Sequence, residues 1–412
     1  MGLFLNMQQY QGDAPLGPGS PWLLKRPLGG LVSENRARIP VGAEQVSDIA
    51  PEGGRCRAVL ESDMRVRPGA AEVLPRRKRY PMLRRWRWAA VGALLVVFLG
   101  CAETGKLSYE RRLSVYRVER GNGGLLERFA PAFAAYNHRD PWNRIGRPCA
   151  EIGPDGKERV RVDPDQPVVY TMTRRFSTDR GRYTNLIYRI HFTGVPYSLI
   201  PFHLTAGENV GLLAVVTLDG TNRPVLFTTV NTCGCYLAIL PTTDLPEACL
   251  PGDWKGSKPL DVFGETLPAE IDYKGAREPR VLIHLRPDVH RVMDVEVMEA
   301  GVLEAPWAHQ VIPAPTAPMA SLERLPVTGG GRTTSFYSGD WVDRGHVKAS
   351  YKVWETLLMS WWSLDFFVGA DKAYADPAET GNPFYTSLKP WNRTESDMWH
   401  FERFLRFWGW RL

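Results

Sequence analysis

The residues with the most chemical promise lie in NTCGCY, residues 231 to 236, where Cys233 and Cys235 are separated by one glycine. Two thiols this close serve one of three ends. They oxidise to a disulfide, pack as small buried hydrophobes, or take a metal or redox role. The stretch follows PVLFTTV (224–230) and either continues that strand or turns out of it. If it continues, Cys233, Cys235, Leu237 and Ile239 share one face. A direct bridge is then awkward, because Cα atoms two apart in an extended strand approach the limit near 6.8 Å, roughly the longest span a disulfide tolerates. Gly234 relieves this if it bends the chain. Cys149 and Cys249 are the easier partners: a bridge to Cys249 closes a loop of roughly 15 residues and stabilises by about 3 kcal/mol in the chain-entropy model. With Cys56 and Cys101 set apart in the leader, four cysteines remain, an even number that suits an oxidising compartment and allows three connectivities.

His284 and His290 form the next constellation. A three-residue loop over 286–288 pairs Leu285 with Val289 and His284 with His290, which sets two imidazoles side by side as candidate metal ligands. On that register Val281, Ile283, Leu285, Val289, Met293 and Val295 form the apolar face. The histidines share theirs with Arg280, Asp294 and Glu296, the pattern of a solvated face. The sequence holds no Gly-x-Ser-x-Gly elbow, no His-Glu-x-x-His and no dinucleotide fingerprint. The triple glycine at 329–331 lacks the Gly-Lys-Ser/Thr of a phosphate-binding loop. No catalytic residue is assigned and no cofactor is expected, although residues distant in sequence can still assemble a site.

The elements that must position these groups read as strands over 166–300. YTNLIYRIHF alternates, with Leu186, Tyr188, Ile190 and Phe192 on one face. GLLAVVTLDGTNRPVLFTTVN gives two apolar runs around DGTN, a hairpin. Strands without long intervening helices imply antiparallel pairing. GLLERFAPAFAAY (124–136) has helical spacing at Leu125, Phe129 and Phe133, but Pro131 breaks it, and both readings stay open. Residues 301–340 are rich in Pro and Gly and read as a connection. Nine of the 14 tryptophans lie between Trp307 and Trp410. Helical spacing puts Tyr351, Trp354, Leu358 and Trp361 on one apolar face. Met398, Phe401, Leu405 and Trp408 form a second stripe behind a capping pair, Thr394 and Asp397. That stripe docks on the sheet, or else lies at a membrane surface or on a partner, with Arg403, Arg406 and Arg411 toward phosphates. The expected fold is α+β and β-rich, an antiparallel sandwich- or meander-like body with an aromatic-rich helical C-terminal region.

The net charge of +6 belongs to the leader. Residues 1–100 hold 15 of the 51 basic and 8 of the 45 acidic residues, leaving 36 against 37 from Cys101 onward. A body this close to neutral has no basic run for phosphates, so no nucleic-acid partner is expected. Residues 1–81 carry scattered apolar residues without period and are expected to be a disordered extension, or not to be translated if Met82 is the true start.

MLRRWRWAAVGALLVVFLGC (82–101) joins a positive patch to an apolar run of 13 residues from Trp88 to Gly100, against roughly 20 for a membrane-spanning helix. With Leu99-Gly100-Cys101 at its end, the segment resembles the signal peptide and lipobox of bacterial lipoprotein precursors, departing from it at Phe98, where an aliphatic residue is usual. The resemblance implies lipidation of Cys101, cleavage before it and, with Ala102 following, an outer-membrane lipid anchor facing the periplasm. The alternative is an uncleaved signal anchor holding the chain in the inner membrane. The body in turn resembles proteobacterial envelope proteins with an Asn-x-Cys-Gly-Cys-Tyr stretch, which adds an address and no activity. The organisation expected is an extension (1–81), a signal peptide or anchor (82–100), a tether and entry segment (101–165), a β-rich domain (166–300), the connection (301–340) and the aromatic region (341–412). The expected function is a membrane-anchored envelope lipoprotein acting as a binding or structural module, partnered by the membrane. The alternative is a periplasmic enzyme or metal/redox protein using the Cys233–Cys235 region.

Overall fold

The computed structural model describes residues 113–119, 124–254, 258–303, 310–329 and 331–412. The expectations for 1–81, for the segment 82–100, for Cys56 and for lipidation of Cys101 lie outside them. The fold is α+β and β-rich, with mixed sheets and short C-terminal helices.

The alternating and continuous apolar runs pair as a meander. A six-stranded sheet runs Ala238–Pro241, Pro224–Asn231, Gly211–Leu218, Gly181–His191, Val169–Thr178, Thr316–Pro318. The first five strands are antiparallel neighbours and the last pairs parallel at the edge. The DGTN hairpin forms as expected: Asp219 Oδ1 accepts the backbone N–H of Thr221 and of Arg223 at 2.8 and 3.0 Å, and Asn222 takes a positive φ of 62°. Because the side-chain period is two, the register divides the sheet into two faces. Leu186, Val216, Phe227 and Leu240 stand in line on one; Ile187, Val215 and Ile239 stand on the other.

Both faces are covered. The first packs on a five-stranded sheet, Val292–Glu299, Pro279–Leu285, Ala132–Ala135, Ser114–Val118, Gln310–Ala314, through Tyr116, Phe133, Ile283 and Val295. The second packs on the C-terminal region through Phe336, Phe384, Phe401 and Phe404. This makes a sandwich with a third layer, and every residue of the two central strands, Gly211–Leu218 and Pro224–Asn231, is buried.

One open reading is resolved and three expectations are corrected. The segment around Pro131 is one helical turn, Leu125–Arg128, followed by a strand, Ala132–Ala135. The Pro-rich 301–340 connection supplies the edge strands Gln310–Ala314 and Thr316–Pro318, where a missing proline N–H is tolerated. In the helix Val353–Ser363 the buried residues are Glu355, Thr356, Met359 and Ser363. The expected stripe is not the buried face: Tyr351 and Trp361 are exposed, and Trp354 and Leu358 are half-buried, packed at the margins of two neighbouring apolar clusters. The terminal helix starts at Phe401, and Asp397 does not cap it. Its Oδ1 instead accepts the N–H of Phe384 and of Trp399, each at 3.0 Å. The stripe behind it docks as the first alternative had it, with Met398, Phe401 and Leu405 buried. Among the described residues no helix is long and apolar enough to cross a membrane.

Candidate functional site

The strand Pro224–Asn231 ends at the asparagine, and the chain then turns back on itself. The Asn231 N–H donates to Cys235 O at 3.0 Å and the Gly234 N–H to Asn231 O at 2.7 Å. Gly234 adopts φ +90°, and a Cβ there would lie 2.1 Å from the Tyr385 carbonyl oxygen, so only glycine fits. The bend brings the Cys233 and Cys235 Cα atoms to 5.5 Å, and the two are joined by a disulfide. The bridge thus runs between near neighbours rather than to Cys249. Cys249 is a buried thiol whose Sγ accepts from Arg180 Nη1 at 3.4 Å, and Cys149 is a half-buried thiol whose pKa burial raises.

A set of buried charges supports this turn from beneath. Lys352 Nζ lies 3.0 Å from Asp371 Oδ2, with the two side chains 2% and 1% exposed. Asp371 Oδ1 also accepts the Thr232 hydroxyl and, at 3.2 Å, the Gly211 N–H. Lys372 Nζ donates to the Cys233 carbonyl and, at 3.2 Å, to Ala370 O, and stands 4.2 Å from the centre of the Tyr385 ring. The Lys372 main chain continues the lattice: its N–H donates to Thr232 O at 2.9 Å and its carbonyl accepts Arg189 Nη1 at 2.9 Å. Arg189 Nε in turn donates to His191 Nε2 at 3.0 Å. Burial and the Arg189 charge hold His191 well below the ordinary imidazole pKa, leaving it neutral as an acceptor.

Glu355 completes the site. Its carboxyl is buried and its Oε2 has no hydrogen-bond partner. Burial raises its pKa, the Asp371 charge adds to that, and Lys352 and Lys372 oppose it. Burial pushes Lys372 down to about 8, and the neighbouring Lys352 charge helps. Burial, the largest influence, pulls Lys352 down as well, but Asp371, Glu355 and Tyr236 together outweigh it and the net shift is upward. Gly369 seats the carboxyl: a Cβ at that position would fall 1.4 Å from Glu355 Oε2. Glu355, Met359 and Val368 line one crevice together with Cys233 and Cys235, with room for about one water molecule. Cys235 is the half-buried residue of the pair and Cys233, at 5% exposure, the buried one.

The candidate histidines are not brought together. The loop between Leu285 and Val292 is longer than three residues, with positive φ at Asp288 and His290, so Leu285 pairs with Val292 and His284 with Asp294. His284 hydrogen-bonds the Tyr136 hydroxyl through Nδ1 and Glu296 through Nε2, each at 2.8 Å. His290 is buried flat on Phe192 at 4.0 Å, and burial lowers its pKa to about 4. Among the described residues no group of three or more His, Cys, Asp and Glu is arranged to hold a metal ion.

Sequence reasoning found the two cysteines and missed Glu355, Lys352, Asp371 and Lys372. The aromatic period of the helix drew attention to the wrong face. The usable signal was Thr356, Met359 and Ser363, small or apolar residues that share the inward side with Glu355. No protein-family model, no curated protein and no solved structure matches this chain.

Proposed function

We propose that the Cys233–Cys235 pair is a dithiol/disulfide centre that exchanges two electrons with the thiols of another molecule. The observation that supports this reading is the crevice shared by the disulfide and an unpartnered, buried carboxyl. Stapling does not account for the bridge. It spans a single residue, the shortest useful loop, and so removes the least entropy from the unfolded chain. In an exchange, an incoming thiolate attacks Sγ of Cys235, the less buried residue of the pair, to form a mixed disulfide, and the Cys233 thiolate leaves. A second thiol of the same substrate, once deprotonated, attacks the mixed disulfide and releases Cys235. The substrate dithiol loses two electrons and becomes a disulfide; the protein gains a dithiol.

Incubating the full chain with dithiothreitol and then alkylating it should trap Cys233 and Cys235 while the protein stays folded. Removing the reductant and adding an oxidised small disulfide should restore the bridge. Cys235→Ser should abolish the cycle. A bridge that is reduced only when the protein unfolds would refute the reading.

The sequence of the leader supports a second statement about setting. We infer an envelope protein held at the membrane by lipid on Cys101, in the oxidising compartment where such a centre turns over. Cys101→Ser should lose incorporation of a labelled fatty-acid analogue and release the chain from the membrane fraction; equal labelling of both forms would end that inference.

A further inference from the structure

We propose that Glu355 is the proton carrier of this centre, passing its proton through one water molecule to the Cys233 thiolate as the disulfide opens. The inference rests on the exchange reading above and adds the identity of the group that handles the proton. Breaking a buried disulfide leaves a thiolate, and an anion without a proton or partner is costly in an apolar crevice. Cys233 is the sulfur that leaves into that crevice, and Met359, Val368 and Leu388 line it with carbon. Glu355 is the titratable side chain lining it beside the sulfurs and Tyr385, and its Oε2 is buried and unpaired.

The surroundings keep this carboxyl ready to donate. Lys352 on its own helix, Asp371 and Lys372 on the following segment, and the Tyr236 and Tyr385 hydroxyls are the titratable groups facing it. Lys352 is paired with Asp371, and Lys372 Nζ gives hydrogen bonds to two carbonyls. Neither ammonium is bonded to Oε2. Burial therefore prevails and favours the neutral acid. On reduction the Glu355 carboxylic acid loses its proton and the Cys233 thiolate gains it. On oxidation the carboxylate takes the proton back from the Cys233 thiol, making the thiolate that closes the bridge. The substrate dithiol gives up two protons as it oxidises: one is taken by the released Cys235 thiolate and the other passes to solvent, matching the proton that Glu355 gave to Cys233. Gly369 fits the same account, since its missing side chain leaves the space in which the carboxyl sits.

The test is Glu355→Gln in the full chain, which keeps size and hydrogen-bonding capacity and removes titration. The rate at which dithiothreitol opens the Cys233–Cys235 bridge should fall by about a hundredfold at neutral pH, the low end for loss of a proton-transfer group. The pH profile should also lose one ionisation that the wild type shows in addition to that of dithiothreitol. A measurement on wild type alone guards against a variant that misfolds. Its infrared difference spectrum between oxidised and reduced forms should show a buried carboxylic-acid carbonyl band that diminishes on reduction. An unchanged rate and pH profile in a folded E355Q, or no carboxyl band in the difference spectrum, would overturn the role of Glu355. If the bridge still cycles in that case, the exchange reading stands. If the native wild type cannot be reduced at all, the exchange reading itself fails.

Discussion

Asp371→Ala should destabilise the protein by about 3–5 kcal/mol, the usual loss when one partner of a buried ion pair is removed. The reason is what it leaves behind. Lys352 is 2% exposed and its ammonium lies against the Asp371 carboxylate at 3.0 Å. Without the carboxylate, a charged lysine remains in the interior beside Lys372, whose pKa burial has already lowered. The Thr232 hydroxyl and Gly211 N–H lose their acceptor as well, where the turn leaves the central strands. Lys352→Met should cost less, because Asp371 keeps those two donors. Urea titration of both variants checks this. The midpoint should fall at an unchanged denaturant slope, and further for Asp371→Ala. A loss below about 1 kcal/mol for Asp371→Ala would show that water reaches the pair, since exposed pairs contribute that little.

The sheet was legible because its residues obey period two. Leu186, Tyr188, Ile190 and Phe192 sit in the inter-sheet core as their alternation requires, and the DGTN hairpin closes where its turn residues stand. What alternation does not reveal is a second buried face. Arg189 and His191 fall on the side that reads as solvated, yet both are 0% exposed, because the C-terminal region covers them and supplies the Lys372 carbonyl. The same limit hid the parallel edge strands at 310–318, whose partners lie more than a hundred residues away.

The site was half legible for a related reason. Two cysteines around a glycine announce themselves, and Gly234 bends the chain as its conformational freedom permits. That the bend is obligatory depends on the Tyr385 carbonyl, which no local pattern places against Gly234. The acids and bases come from positions 352, 355, 371 and 372, distant in sequence from the turn they serve. A glutamate in a helix reads as a solvated residue by default; its burial follows from Gly369 and from the inward turn of Thr356 and Met359.

Phe401→Ala should destabilise by about 3–5 kcal/mol, whereas Trp361→Ala should change stability by no more than about 0.5 kcal/mol. Both residues belong to aromatic stripes with helical spacing, so sequence alone ranks them together. The structure separates them. Phe401 is 3% exposed, with its ring 5.4 Å from Phe176 and 5.3 Å from Phe404, in the layer that covers the second face of the main sheet. Truncation there opens a cavity that neighbouring rings, themselves held by Tyr183 and the terminal helix, do not collapse to fill. Trp361 is 70% exposed on the outer side of its helix, and its indole N–H donates only to Leu358 O, one turn back. Removing it deletes surface contacts and leaves Glu355 and Met359 undisturbed on the inner side. Thermal and urea unfolding of the two variants in detergent-free buffer decides between them. Similar losses at both positions would mean that the outer stripe of Val353–Ser363 is packed rather than exposed, and the inward placement of Glu355 against the disulfide would fall with it.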